Sequence, residues 1–245
     1  MNALAYTRYE LLRTFRNRRF VILSLAFPLV LYFAIAGPNR HVDNLAKSGI
    51  SAPLYFMVGL AAFGTMNSVL SAGARIAAER DSGWNRQLRL TPLSPRAYFR
   101  AKVATGYLMA STTIVLLYAA GASLGVSIPA GRWVDMTWMI LVGLVPFVAL
   151  GIWLGHTLSA DSISPVLGGT TAVFALLGGV WFPIGASGAM HDLAQALPSY
   201  WLVQAAHVGT GGSGWGPRGW LVIAIWSLGG AWLARRAYQR DTKRV

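Results

Sequence analysis

PLYFMVGLAAFGTMNSVLSAG, residues 53–73, carries no charged side chain across twenty-one positions. As a helix rising 1.5 Å per residue it reaches about 30 Å, the thickness of a bilayer's hydrocarbon core. Lipid offers the backbone no hydrogen-bond partner, so a stretch of this kind crosses only as a helix. Five further windows read the same way: 20–37, 103–126, 137–157, 165–184 and 219–238. The fold class is therefore all-α, a polytopic membrane protein with six transmembrane helices. Segments outside the windows are about thirty residues at most, too short for a core that folds alone. The expectation is a single transmembrane domain over residues 1–245.

The net charge of +13 would suggest nucleic acid in a soluble protein. Its placement argues for a membrane instead. Arg8, Arg13, Arg16, Arg18 and Arg19 precede the first window. Arg75, Arg80, Arg86, Arg89, Arg96, Arg100 and Lys102 lie between the second and third. Arg235, Arg236, Arg240, Lys243 and Arg244 close the chain. With six crossings these seventeen share one side, and only Arg40, Lys47, Arg132 and Arg218 face the other. The positive-inside rule puts both termini and the 75–102 loop in the cytoplasm. The absence of cysteine removes disulfides and thiolate metal sites. Abundant Arg, Ala and Gly suggest a bacterial source, and hence the inner or plasma membrane.

Residues 1–19 place Leu4, Leu11, Leu12 and Phe15 on one helical arc, with Glu10, Arg13, Thr14 and Asn17 across from it. Arg8 and Arg19 fall within the apolar arc, where their stems can lie along lipid. This is the pattern of an amphipathic interfacial helix; a basic leader to the first span is the other reading. Pro28 should kink the first span. Ser51 with Pro53, and Ser164 with Pro165, look like helix starts. Gly121/Gly125 and Gly151/Gly155 have the spacing of close helix contacts. Segment 185–218 is too short to cross twice and too apolar for a free loop. It reads as short outer helices, with Trp181, Tyr200, Trp201, Trp215 and Trp220 as an interfacial aromatic belt.

The loop RIAAERDSGWNRQLRLTPLSPRAYFRAK, residues 75–102, is more structured than a tether. A charged extension of the second span ends near Gly83, a short turn of helix follows, and Thr91-Pro92-Leu93-Ser94-Pro95 leads into the third span. Glu79-Arg80 with Gly83, the LRLTPLS stretch at 88–94, the basic residues leading to Lys102, Gly178-Gly179-Val180-Trp181-Phe182-Pro183, and Leu197-Pro198 with Tyr200-Trp201 together resemble the type-2 ATP-binding-cassette exporter permeases, the group of the daunorubicin-resistance permeases. The resemblance covers essentially the whole chain.

That resemblance implies a dimer of permeases, most simply a homodimer, served by two cytoplasmic ATPase subunits that hold ATP and Mg. Such an assembly exports an amphiphilic substrate: a drug or antibiotic, a lipid or a glycolipid. The ATPase-coupling residues would be Glu79, Arg80, Asp81, Gly83, Trp84, Arg86, Leu88, Arg89 and Leu90, with Glu79 paired to Arg13 or Arg16. The substrate path would use Phe56, Phe63, Met66, Asn67, Phe174, Leu177 and Trp181. This chain has no Gly-x-x-x-x-Gly-Lys-Ser/Thr phosphate cradle. It is therefore expected to be no enzyme and to bind no cofactor or metal.

Three other constellations have competing explanations. The hydroxyls of Ser111-Thr112-Thr113 and Thr170-Thr171 suit bonds to their own helix carbonyls or a polar path. His156 and Asp161, around the turn after the fourth span, suit helix caps or a proton relay. Ser187 within Gly185–Gly188 and His207 within Ala206–Gly209 resemble the serine and histidine motifs of rhomboid intramembrane proteases. Here no further span separates the two, which weighs against that nucleophile–base pair. A membrane assembly or sensory protein without transport remains the other competing class.

Overall fold

The computed structural model describes residues 3–45, 49–91, 93–181, 184–185 and 187–243, without the side chains of Ala3, Arg19, Phe20, Leu23, Asn85, Arg86, Arg89, Thr242 and Lys243. Among the described residues there are helices and turns and no strand. In chain order the helices are α1 (Ala3–Arg16), α2 (Arg18–Ala36), α3 (Ala52–Asp81), α4 (Trp84–Arg89), α5 (Pro95–Ser123), α6 (Ala130–Gly143), α7 (Val145–Thr157), α8 (Ala160–Gly178), α9 (Ala189–Gln195), α10 (Pro198–His207) and α11 (Pro217–Lys243), with a 3₁₀ turn at Val208–Thr210. Four stretches are long and apolar enough to cross a membrane: α3, α5, α6 with α7, and α8. Within α2, Ser24–Ala36 is a shorter apolar run. α11 joins an apolar first half to an arginine-rich end and falls outside those four.

Local chemistry sets the helix boundaries. Ser51 occupies the N-cap of α3 with Pro53 in the first turn, although its hydroxyl makes no capping bond. Ser94 caps α5 by accepting from the Ala97 N–H at 3.3 Å. α8 starts earlier than the Ser164–Pro165 pair suggests. Ser159 is its cap, accepting from the Ser162 N–H, and Asp161 stands in the first turn, so Pro165 lies inside the helix. A hydroxyl acceptor plus an acid at the positive helix end outweighs the one ladder bond that proline forgoes. The fourth window likewise begins earlier, at Ala130, and is broken at Leu144 just before Pro146.

α3 is the central helix. Its apolar window is 78% buried, against 28% for α8 at the periphery. It packs on α2, α5, α7, α8 and α10. Small residues allow the closest of these approaches. A Cβ on Gly73 would collide with the Gly151 carbonyl, and one on Gly155 would lie 2.6 Å from the Gly73 carbonyl. The Gly151/Gly155 spacing is thus a true α3–α7 backbone contact. Of the other pair, Gly121 faces Met57, while Gly125 takes φ +87° in the turn after α5. The core between these helices is built from Leu60, Met66, Leu70, Leu117, Ile140 and Phe147.

At one end of the bundle, α9, α10 and the 3₁₀ turn form the expected short helices. The aromatic belt needs correction there. Trp201 and Trp215 are buried with Met139, Ala205 and Ile223. Their indole N–H groups donate to the carbonyls of Gln195 at 2.8 Å and Trp201 at 2.7 Å. A bonded indole holds an irregular segment together better than it anchors at a lipid surface. Trp220 alone of the belt tryptophans stays largely exposed.

Candidate functional site

The opposite end of the bundle gathers charge. α3 continues past its apolar stretch through Glu79 and Arg80, and α5 begins with a basic turn leading to Lys102. α1 lies against both. Lys102 is fully buried, and its ammonium donates to Glu10 Oε1 at 2.6 Å and to both Glu79 oxygens at 2.6 and 2.7 Å. Arg13 donates to Glu79 Oε1 at 2.9 Å from a side chain 44% exposed. Arg75 donates to the Thr14 hydroxyl, which in turn donates to the Glu10 carbonyl. The expected partner of Glu79 on α1 is therefore Arg13. The larger interaction, with Lys102, was not anticipated.

Aromatic rings close the junction. Tyr6 stacks on Tyr98 at 6.4 Å, Lys102 lies 5.3 Å from the Tyr98 ring, and Arg13 lies 5.6 Å from Trp84, which also meets Tyr9. Burial, reinforced by the two glutamates, pushes the Tyr6 phenol well above its ordinary pKa and keeps it neutral.

α4 sits on this platform. Gly83 makes the turn into it at φ +71°, a left-handed backbone that glycine adopts without steric cost. Leu88 is buried with Tyr6, Tyr98 and Ala101, and Trp84 packs against the same group. The two therefore anchor the helix inward. Asp81, Gln87 and Leu90 face out, Leu90 at 87% exposure. The side chains of Arg86 and Arg89 lie outside the described residues, as do Pro92, Phe182 and Pro183 of the family-like motifs.

A second junction ties the C-terminal end of α11 to the same place. Arg80 Nε donates to Asp241 Oδ1 at 3.0 Å, and its Nη1 donates to the carbonyls of Gly155 and Leu158 at 3.1 and 3.0 Å. Asp241 Oδ2 also meets His156 Nδ1 at 3.2 Å. His156 thus pairs with α11, while Asp161 serves the first turn of α8.

The substrate-path residues divide. On α3, Phe56, Asn67, Ser71 and Ala74 are only partly buried along one helical stripe, and Phe63, on the same stripe, is buried. Phe63 meets Trp181 at 5.6 Å. Met66 is in the core, and Phe174 turns inward to Phe147 and Trp226 at 5.5 and 6.2 Å. Leu177 is half-buried. Thr112 and Thr113 bond to their own helix carbonyls, and Thr113 also reaches Ser68 across to α3 at 3.2 Å. Ser187 is exposed before α9, while His207 Nδ1 donates to the Val203 carbonyl at 2.9 Å. Among the described residues nothing joins that serine to that histidine.

Residues 2–209 match the family model described as ABC-2 type transporter. The chain is also 27% identical, over 205 residues, to a Bacillus subtilis (strain 168) protein named "Putative transport permease YvfS". That match covers 82% of this chain and 80% of the relative.

Proposed function

The chain belongs to the ABC-2 type transporter family, and on that premise we propose that it is the membrane permease of an exporter whose ATP is hydrolysed on separate cytoplasmic subunits. Membership implies an ATP-binding-cassette partner. The observation that carries the coupling role is the buried Glu10–Lys102–Glu79 junction. It fastens α1 to the ends of α3 and α5, and α4 packs on that base through Leu88 and Trp84, so that force applied to α4 reaches two core helices. The ATPase grips the outer face around Asp81, Gln87 and Leu90, while Trp84 and Leu88 hold the lever to its base.

Six crossings, with both termini cytoplasmic, fit this arrangement. Arg13 of α1 and Asp241 of α11 each reach the end of α3, at Glu79 and Arg80. On this reading α2 and α11 run the length of the bundle. α1 supports an interfacial placement: it buries Glu10 and Thr14 and turns Leu4, Leu12 and Phe15 outward. Such inverted burial is stable where the surroundings are hydrocarbon. The partly open stripe of Phe56, Phe63 and Asn67 beside Trp181 is the best-placed wall for an amphiphilic cargo. A second copy, packed against the exposed apolar face of α8, would supply the facing wall. In a bacterial cell this places the assembly in the inner or plasma membrane.

Purification of the tagged chain from native membranes tests the reading. A cassette ATPase with a phosphate-cradle motif should accompany it, and Leu90→Asp should abolish permease-dependent ATPase stimulation. Leu90 is so exposed that its change should alter stability by only about 0.5 kcal/mol. A stable permease without such a companion would sink the proposal.

A further inference from the structure

A cleft of about 720 Å³ opens on the flank of the bundle between α5, α7 and α11. Phe99, Val103, Val148 and Ile152 supply apolar walls, and none of the lining residues is acidic. Two cations line the cleft, both exposed: Arg96 in the first turn of α5 and Arg235 toward the end of α11. Both belong to the basic end of the bundle. From Ser227 to Gln239 the α11 wall spans thirteen residues, about 18 Å of helix. One leaflet's share of the hydrocarbon core is about 15 Å. The α11 wall thus matches about one leaflet in length, is mostly apolar, and has its cation, like that of α5, toward the basic end of the bundle.

We propose that this cleft binds one anionic phospholipid as a resident of the permease. Its phosphate sits on Arg96 and Arg235, and an acyl chain fills the groove toward Val145, where α6 gives way to α7. A soluble anion would engage the arginines and leave the apolar walls unfilled. A zwitterionic lipid would fill the walls and satisfy the charge less well. The site is separate from the proposed cargo wall, since no α3 or α8 residue lines it. It does touch the coupling end. Phe99 and Tyr238 meet at 4.9 Å inside the cleft, and both contact His156, the partner of Asp241. A lipid in the groove presses on the ring group that holds α11 to α7.

The proposal rests on the reading of α11 as a membrane crossing. The test is retention of phosphatidylglycerol against phosphatidylcholine by the purified full-length chain in mixed-lipid nanodiscs, read by native mass spectrometry. The unaltered chain should keep one phosphatidylglycerol in preference. Replacing both arginines, Arg96→Gln with Arg235→Gln, should cut that preference about thirtyfold. Ala231→Trp, which fills the groove without touching either arginine, should expel both lipids.

A second measurement needs no variant. Phosphatidylglycerol with a diazirine in its tail should label α5, α7 and α11 at Val103, Val148 and Ala231. Equal retention of the two lipids, or labelling spread evenly over the exposed faces of α2 and α8, would overturn the proposal. Nanodiscs are open on both faces, so such a failure would leave the topology untouched. Termini on opposite sides of the membrane would refute the topology whatever the lipid result.

Discussion

Both glutamates of the chain converge on Lys102, from helices sixty-nine positions apart in sequence. Each carboxylate is almost wholly shielded, and the buried lysine is the cation that both of them bond. Lys102→Met, with both acids left in place, should therefore cost about 3–5 kcal/mol, because it leaves buried Glu10 without its close cation and Glu79 with only the exposed Arg13. Thermal unfolding in detergent would register the loss. Adding Glu10→Gln and Glu79→Gln should restore much of the stability but not the ATPase coupling, since the charge-assisted fastening of α1 to α3 would be gone. Recovery of coupling in that triple variant would mean that packing alone transmits force. Arg13 is the lesser partner. Its exposed guanidinium suits an ion pair worth about 0–1 kcal/mol. The family resemblance implies a Glu79 partner on the N-terminal helix, at Arg13 or Arg16, and folding selects Arg13. Lys102 was hidden among seven loop cations. Nothing local distinguishes it, and its role exists only once folding brings residues 10, 79 and 102 together.

At the scale of helices, backbone-to-backbone contact decides the geometry. α3 and α7 meet where Gly73 faces Gly151 and Gly155, with no room for a methyl group. Gly73→Ala must push the two helices apart, and overpacking of this kind costs about 1–3 kcal/mol. The damage should show at a distance, as weakened permease-dependent ATPase stimulation, because Arg80 reaches across the same interface to the carbonyls of Gly155 and Leu158. A Gly229→Ala control, at an exposed position on α11 with open space around it, should leave both stability and coupling near normal. Equal effects from the two substitutions would refute the contact. The glycine spacing was visible in the sequence, but 27 glycines in 245 residues offer many such pairs, and only packing selects one. Helix ends were less legible for a related reason. Ser164–Pro165 and Ser159 both carry start signals, and the choice turned on Asp161 near the positive helix end. The tryptophans were misread because burial, absent from the sequence, decides whether an indole anchors to lipid or bonds to a carbonyl.

For the whole molecule, crossing number and orientation are one question. If only the four most apolar stretches crossed, both termini would lie opposite α4, dividing the twenty-one basic residues into seven with the loop and fourteen on the side of the two ends. Six crossings put seventeen of them together, the asymmetry that orients helices during insertion. The ion pairs support the same reading independently. Arg13–Glu79 and Arg80–Asp241 require residues near both chain ends to stand beside the α3–α4 turn. Reporters at the N-terminus, at the C-terminus and at Ser82 should therefore all read cytoplasmic, and one within 211–216 should read external. Single cysteines at those four positions, introduced into this cysteine-free chain, allow the same experiment with a membrane-impermeant maleimide. Labelling of both termini from outside, with Ser82 protected, would establish four crossings and leave the two ion pairs without a physical route. Termini on opposite sides would mean that α2 or α11 fails to cross. In either case α4 could not be held by both ends of the chain, and the platform proposed for the ATPase would lose its foundation.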